Sequence, residues 1–382
     1  MGFHSFLASR KSWRSRSPRR QPARGGTRLS LEQLEDRALP SSYAAGSVHD
    51  LIVDMNAANA AGGSNTIQLT AATTAPYVLT KVDNTTDSAT GLPVIAANDN
   101  LTIFGNGDII ERSTRSKTPC FRLLAVASGG SLTLGNLTLQ GGLAYGVSAF
   151  GGAIYSQGNL VLNGVTVQGN TAEGFDSSYS TPINARGGGI LSAGGSVTLE
   201  GGTIVQNNQA IGSSVSVLST LRAGNAYGGG LCAFGGTVTV TNATLSNNTA
   251  IGGEGESGGL YTIPSQNGYG YGGGLYVDGA TVTVANAIVV GNVATYSLSP
   301  WGLAHEGSGG GAFGGGMYLA TPHTATLTNC TVQGNSAAPS STYFSGGNFG
   351  VGGLFIYGGT TLYLDSFTVA HTDDIEGVYI LL

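Results

Sequence analysis

Short apolar runs of period two, broken by Gly or Asn, dominate the chain from Ala149 onward. In AFGGAIYSQGNLVLNGVTVQGNTA the runs are Ala153-Ile154-Tyr155, Leu160-Val161-Leu162 and Val165-Thr166-Val167. Alternation of this period marks a strand with one buried face, and three such strands with three corners close one turn of a coil. A Gly-Gly-x-apolar start returns at Ile154, Ile190, Leu231, Leu275, Met317 and Leu354, at intervals of 36, 41, 44, 42 and 37 residues. The third run is followed by apolar-x-x-Asn and then x-Ala. It reads Val167 to Asn170, Val205 to Asn208, Leu245 to Asn248, Val289 to Asn292 and Val332 to Asn335. Fixed columns with a drifting period predict stacked coils with insertions at one corner.

Stacking turns each column into a ladder along the axis. Asn170, Asn208, Asn248, Asn292 and Asn335 form one, expected to sit left-handed at a tight corner with amides bonded up and down the stack. Asn136, Gly164, Gly202, Asn242, Asn286, Asn329 and Ser366 form a second, at the bend between strands two and three. Phe150, Tyr227, Tyr271 and Phe313 form an aromatic column that includes Arg186, and a guanidinium between rings is an acceptable stack. Asp373, Asp374 and Glu376 follow the last copy, as charge on a terminal edge that would block end-to-end pairing.

Upstream of the repeat, residues 47–63 predict one helix. Ser47 caps it, Asp50 takes the capping-box position, Val48, Leu51, Ile52, Met55 and Ala58 share a face, and Gly62-Gly63 end it. A solenoid needs its first coil covered, and this helix is the expected cap. Strand-like runs at Thr66–Leu69 and Tyr77–Leu79 and two irregular coils follow. The chain therefore divides into a disordered basic leader or sorting segment (1–40) and a parallel β-helix (41–382). Within the latter, 41–148 are cap and irregular coils, 149–372 repeat coils and 373–382 a terminal edge.

Composition narrows the partners. Gly accounts for 64 of 382 residues and charged residues for 10%, without a collagen-like Gly-x-y period. Residues 1–37 hold nine Lys/Arg and three Asp/Glu, a balance of +6, and the rest is −11. An acidic folded part argues against nucleic acid as a partner. Cys120, Cys232 and Cys330 have neither zinc nor disulfide-framework spacing and read as small apolar residues. No apolar run of signal-peptide or transmembrane length is present.

Three resemblances add to this reading. Leu31-Glu32-Gln33-Leu34-Glu35-Asp36-Arg37 and Leu39-Pro40 resemble the LEPR-type N-terminal segment of large bacterial surface proteins. The order helix, Ile-Gln-Leu strand, Gly-Leu-Pro and Leu-Thr-Ile-x-Gly resembles the N-terminal cap of CSLREA-type β-helix proteins, without the Cys-Ser-Leu-Arg-Glu-Ala string. Gly151-Gly152-Ala153-Ile154 and the recurring apolar-x-x-Asn resemble the polymorphic outer-membrane protein repeat over about 200 residues, with Val or Leu in place of its Phe. That family's membrane barrel is not expected here, since 11 residues follow His371. The resemblance implies a right-handed fold on a secreted or cell-surface protein. The expected fold class is thus all-β, a single-stranded right-handed parallel β-helix of about eight coils with a short N-terminal capping helix.

Candidate chemistry is sparse. Between 151 and 350 the acids are Glu173, Asp176, Glu200, Glu254, Glu256, Asp278 and Glu306, and no two share a column in adjacent coils. His305, His323 and His371 occupy unrelated positions. A paired-carboxylate hydrolase or a metal-assisted lyase is not signalled, and no cofactor, metal or catalytic residue is expected. Gly252-Gly253-Glu254-Gly255-Glu256 occurs once and lacks the Asp of a calcium turn. The inserts 173–186, 211–227, 251–271, 295–313 and 338–350 leave and re-enter at one corner and should pile into a wall. Tyr179, Tyr261, Tyr269, Tyr296, Trp301, Tyr343 and Phe344 lie in them among Ser, Thr and Gly, a composition of adaptable binding surfaces. The expectation is a monomeric, non-catalytic structural or adhesive protein whose insert wall recognises a glycan or an envelope protein. The alternatives are a carbohydrate-active enzyme of the pectate-lyase-like kind and a passive envelope spacer.

Overall fold

The computed structural model describes residues 40–72, 74–215, 222–255, 265–297, 309–320, 324–338 and 348–382. The expected leader falls outside this set, apart from Pro40. The folded part is a parallel β-helix, with the right-handed sense of parallel crossover connections. First strands stack from Leu124–Val126 through Ile154–Ser156, Ile190–Ala193, Leu231–Phe234, Leu275–Asp278, Met317–Ala320 and Leu354–Ile356 to Ile375–Glu376. Every pairing in this sheet is parallel and keeps the repeat in register, Ile154 against Ile190 against Leu231 against Leu275.

The second-strand column is taller than the eight coils expected. It begins at Ser41–Ala45, rises through Gly63–Leu69, and ends at Tyr379–Leu381, eleven strands among the described residues. From Leu101 and Ile103 up to Leu362 and Leu364 its inward positions are Ile, Leu and Val, with one Ala at Ala325, all buried, and its outward positions are largely Thr. Ile154, Leu160, Leu162, Val165 and Val167 meet their counterparts from other coils in one continuous core. Full burial of each such side chain contributes about 1.5–3 kcal/mol.

Helix α1 (Val48–Ala61) lies within the predicted stretch. Ser47 accepts from the Asp50 amide at 3.2 Å, and Asp50 accepts from the Ser47 hydroxyl at 2.9 Å and the Gly46 amide at 3.2 Å. Leu51, Met55 and Ala58 enter the core. The helix is not the first element, however. It crosses over between Ser41–Ala45 and the parallel strand Gly63–Leu69.

The repeat's marks acquire physical causes. In five of the six copies the first Gly has positive φ, 59° at Gly151, 67° at Gly187, 62° at Gly228, 59° at Gly272 and 58° at Gly314, and the last copy has Val351 there. The second lies against the backbone of another strand, as Gly229 does against Thr249. At the other corner the left-handed residue is not the ladder Asn, as expected, but its predecessor: Gly169, Asn207, Asn247, Gly291 and Gly334. The ladder side chain is thereby turned inward, where Asn170, Asn208, Asn248 and Asn292 are buried. Each amide donates to the Asn of the next coil: Asn170 to Asn208 at 2.9 Å, Asn208 to Asn248 at 3.0 Å, Asn248 to Asn292 at 2.9 Å, and Asn292 to Asn335 at 3.0 Å.

The second ladder has positive φ at Asn136, Gly164, Gly202, Asn242, Asn286 and Asn329. Ser366 departs from it and opens helix α2 (Ser366–Ala370), because Asp365 caps that turn by accepting from the Thr368 amide at 2.8 Å. The acidic edge also differs from expectation. Asp373 accepts from the Gly334 amide and Asp374 from the amides of Gly352 and Gly353. These carboxylates finish glycine corners, and the top edge is instead the apolar strand Tyr379–Leu381, exposed throughout.

An outer aromatic layer covers the first-strand sheet. Tyr276 and Tyr318 stack at 5.3 Å and Tyr318 and Phe355 at 5.0 Å, while Tyr227, Tyr271 and Phe313 stack over them at 5.2 and 5.6 Å. The Arg186 guanidinium lies over Phe150 at 5.4 Å and Phe234 at 5.0 Å. Desolvation raises the phenols of Tyr271, Tyr276 and Tyr318. Since ring faces stack on one another here, this layer seals the sheet. Among the described residues, no helix is long and apolar enough to cross a membrane.

Candidate recognition surface

The inserts do not leave the coil as irregular loops. After the Asn corner the chain enters an outgoing strand, and before the Gly-Gly corner it passes through a returning one. Outgoing strands Leu143–Gly146, Thr171–Gly174, Gln209–Ile211, Thr249–Gly252, Val293–Tyr296 and Ser336–Ala337 form a parallel sheet. Returning strands Ala185–Arg186, Ala226–Tyr227, Tyr269–Tyr271, Gly311–Phe313 and Asn348–Phe349 form another. Ala144, Ala149, Ala172, Ala185, Ala210, Ala226 and Ala250 make a separate buried cluster between them. Side chains this short let the two sheets approach closely, and Gly270, whose Cβ would lie 2.5 Å from the Ala250 carbonyl, shows how closely. The x-Ala mark of the repeat is this layer.

The ring residues expected on the wall have different fates. Tyr179 is 46% exposed. Tyr269 lies in a returning strand, half-buried, with the Arg222 guanidinium 4.1 Å over its ring. Arg222 is itself fixed by the carbonyls of Asn267 at 2.9 Å and Gly309 at 2.7 Å and by Gln266 Oε1 at 2.5 Å. Tyr296 departs from expectation: it is in an outgoing strand, 2% exposed, and stacked on Phe349 at 6.0 Å. Its ring offers no free face. Tyr261, Trp301, Tyr343 and Phe344 lie outside the described residues.

The first insert is described throughout, and its Phe175 meets a ring of the outgoing strand one coil earlier, Tyr145. Phe175 stacks on Tyr145 at 5.0 Å and 22°, and Tyr179 meets Phe175 edge-on at 5.7 Å. Tyr145 is 40% exposed. Glu173 is the cross-strand partner of Tyr145, so its carboxylate lies beside that ring, and burial raises its pKa. Tyr145 could have been found by extending the outgoing-strand register back one coil, through Ala144 in the Ala172 column.

A turn holds Tyr179 in place. Asp176 accepts from the Ser178 hydroxyl at 2.5 Å, the Ser178 amide at 3.2 Å, the Thr181 amide at 3.0 Å and the Ser180 amide at 3.3 Å. These bonds, that of the Ser178 hydroxyl foremost, hold the carboxyl at about 2. Tyr179 has φ of +50°, a left-handed conformation uncommon for a bulky side chain. The folded pKa is below the unfolded one, so ionisation favours the turn above about pH 4, and that contribution disappears as pH falls toward 2. Proteolysis at 176–181 should accordingly rise between pH 4 and pH 2 with an acid-stable protease, and in an Asp176→Ala variant it should be high at both.

Among the described residues the other candidate acids stand apart. Glu200 accepts from Asn163 Nδ2 at 3.1 Å on the outer face of the second-strand sheet, Asp278 ends a first strand, and Glu173 is on an outgoing strand. Among the described residues no three His, Cys, Asp or Glu side chains converge as metal ligands. Cys232 and Cys330 are buried, with thiols raised by desolvation, and Cys120 is exposed. No protein-family model, curated protein or solved structure matches the chain.

Proposed function

We propose that this protein is a non-catalytic, secreted or cell-surface structural or adhesive protein of bacterial type, with the insert wall as its recognition surface. The carrying observation is the pair of parallel sheets at the base of the inserts. They bring successive inserts out of the helix in register, so that many short segments act along one edge of a rigid rod. The resemblance of the Gly-Gly-Ala-Ile and apolar-x-x-Asn marks to the polymorphic outer-membrane repeat, and of residues 28–40 to the LEPR-type segment, supports a surface setting. Long connections on a rigid scaffold are the usual location of binding residues.

The test is retention of the full chain on glycans and on envelope fractions, with unfolding followed in parallel. Tyr269→Ala combined with Trp301→Ala should weaken retention by more than the accompanying loss of stability accounts for, since Tyr269 also packs under Arg222. A full chain that retains nothing overturns the reading, as does a double variant that binds equally well or loses binding only through unfolding.

A further inference from the structure

The first insert carries a site more specific than a wall of mixed loops. Tyr145 and Phe175 form a stacked floor, Tyr179 stands edge-on beside it, and Glu173 borders it from the strand position paired with Tyr145. Their environments suit a ligand and are hard to account for as packing. Tyr145 and Tyr179 stay 40% and 46% exposed, whereas Tyr227, Tyr271 and Phe313 of the returning strands are half-buried. Val147, 71% exposed, extends the apolar surface past Tyr145. Tyr179 is kept left-handed by four hydrogen bonds to one carboxylate, a conformation that costs about 1–3 kcal/mol and persists where surrounding structure enforces it. Holding a ring in that way fixes its orientation before anything binds, which lowers the entropy cost of recognition.

We propose that Tyr145, Phe175 and Tyr179, with Glu173, form a binding site for a neutral sugar ring of a glycan. A pyranose has one apolar face of axial C–H groups and a rim of hydroxyls. The apolar face lies on an exposed phenol ring, gaining burial with a partner that is rigid and needs little ordering. The hydroxyl rim meets Glu173, which accepts from it. Among the described residues no basic side chain pairs with Glu173, and burial raises its pKa. The Tyr145 hydroxyl can either donate or accept. A single pyranose covers such a platform, so the expected ligand is a terminal or internal sugar of a longer chain that continues along the wall. This assignment rests on the proposed recognition role and names its ligand class.

The experiment measures binding of neutral hexose and N-acetylhexosamine oligosaccharides to the full chain, by calorimetry and by saturation-transfer NMR. Three variants accompany it. Tyr179→Gly removes the ring and relaxes the left-handed backbone, because glycine adopts positive φ freely. It should fold at least as stably as the parent and bind about tenfold more weakly, the loss expected for one aromatic contact. Tyr145→Ser should lose binding to a similar or greater extent. Glu173→Gln keeps the shape and weakens binding without abolishing it. Affinity should change little between low and high salt, as for an uncharged ligand. Retention of envelope protein but of no sugar would leave the recognition wall standing and overturn this site. Sugar binding that survives both tyrosine variants would also overturn it, as would a preference for quaternary-ammonium ligands with steep salt dependence.

Discussion

Asn248→Ala should destabilise the protein by about 3 kcal/mol, with two buried groups orphaned at about 1–3 kcal/mol each. Asn248 Oδ1 accepts from the Asn208 amide at 3.1 Å and from Asn208 Nδ2 at 3.0 Å. Its Nδ2 donates to the Val205 carbonyl at 2.9 Å and to Asn292 Oδ1 at 2.9 Å. Alanine removes all four. The Asn208 backbone N–H then has no acceptor in a site closed to water, and the Val205 carbonyl loses a donor. Asn248→Asp should be no milder, because its second carboxylate oxygen would face the Val205 carbonyl and Asn292 Oδ1. Urea unfolding should show a lower midpoint for both variants. Equal midpoints for Asn248→Ala and the parent would show that the ladder carries no stability.

Gly229→Ala should be harsher, about 4 kcal/mol or outright failure to fold. A Cβ at this position would lie 2.5 Å from the backbone N, C and O of Thr249. Backbone cannot rotate aside as a side chain can. The clash falls at the contact between the Gly-Gly corner and the outgoing strand, so relief would mean prising the outgoing strand from the coil. Gly358 is the control: nothing lies within 4 Å of its Cβ position, and alanine there should be neutral or slightly stabilising. Soluble expression and the thermal midpoint separate the two. A Gly229→Ala variant as stable as Gly358→Ala would mean that the two elements are less closely packed than described.

The core coil was legible because it uses large apolar residues in alternation. Ile154, Leu160, Leu162 and Val167 announce their strands, and Asn170 and Gly151 their corners. The sheets at the insert bases were not, because Ala185–Arg186 and Ala226–Tyr227 are two residues long and their buried side chain is alanine. Such strands carry no periodic signal, and only the register between coils reveals them. Ser41–Ala45 escaped for a related reason: SSYAA lacks β-branched residues and pairs because α1 returns the chain beside it. In the recognition surface, Tyr179 was readable as a loop ring. Tyr145 precedes the regular repeat and Phe175 stands at the root of the insert, so the platform they share is visible only in three dimensions. Tyr296 misled because its insert was read as loop from its first residue.

The Asn ladder is directional. From Asn170 to Asn292 each side chain donates to the Asn of the coil that follows in sequence and also to a carbonyl of the coil before, while its oxygen accepts only from the coil before. A coil emerging from the ribosome therefore presents an amide bonded back to the coil before it and lacking its forward acceptor, and the next coil supplies that acceptor on arrival. Each finished turn is the template for its successor, and the growing front is always the newest one. Synthesis from the N-terminus and assembly along the axis run the same way, so the solenoid can be laid down as it is translated, without waiting for a distant segment to close it.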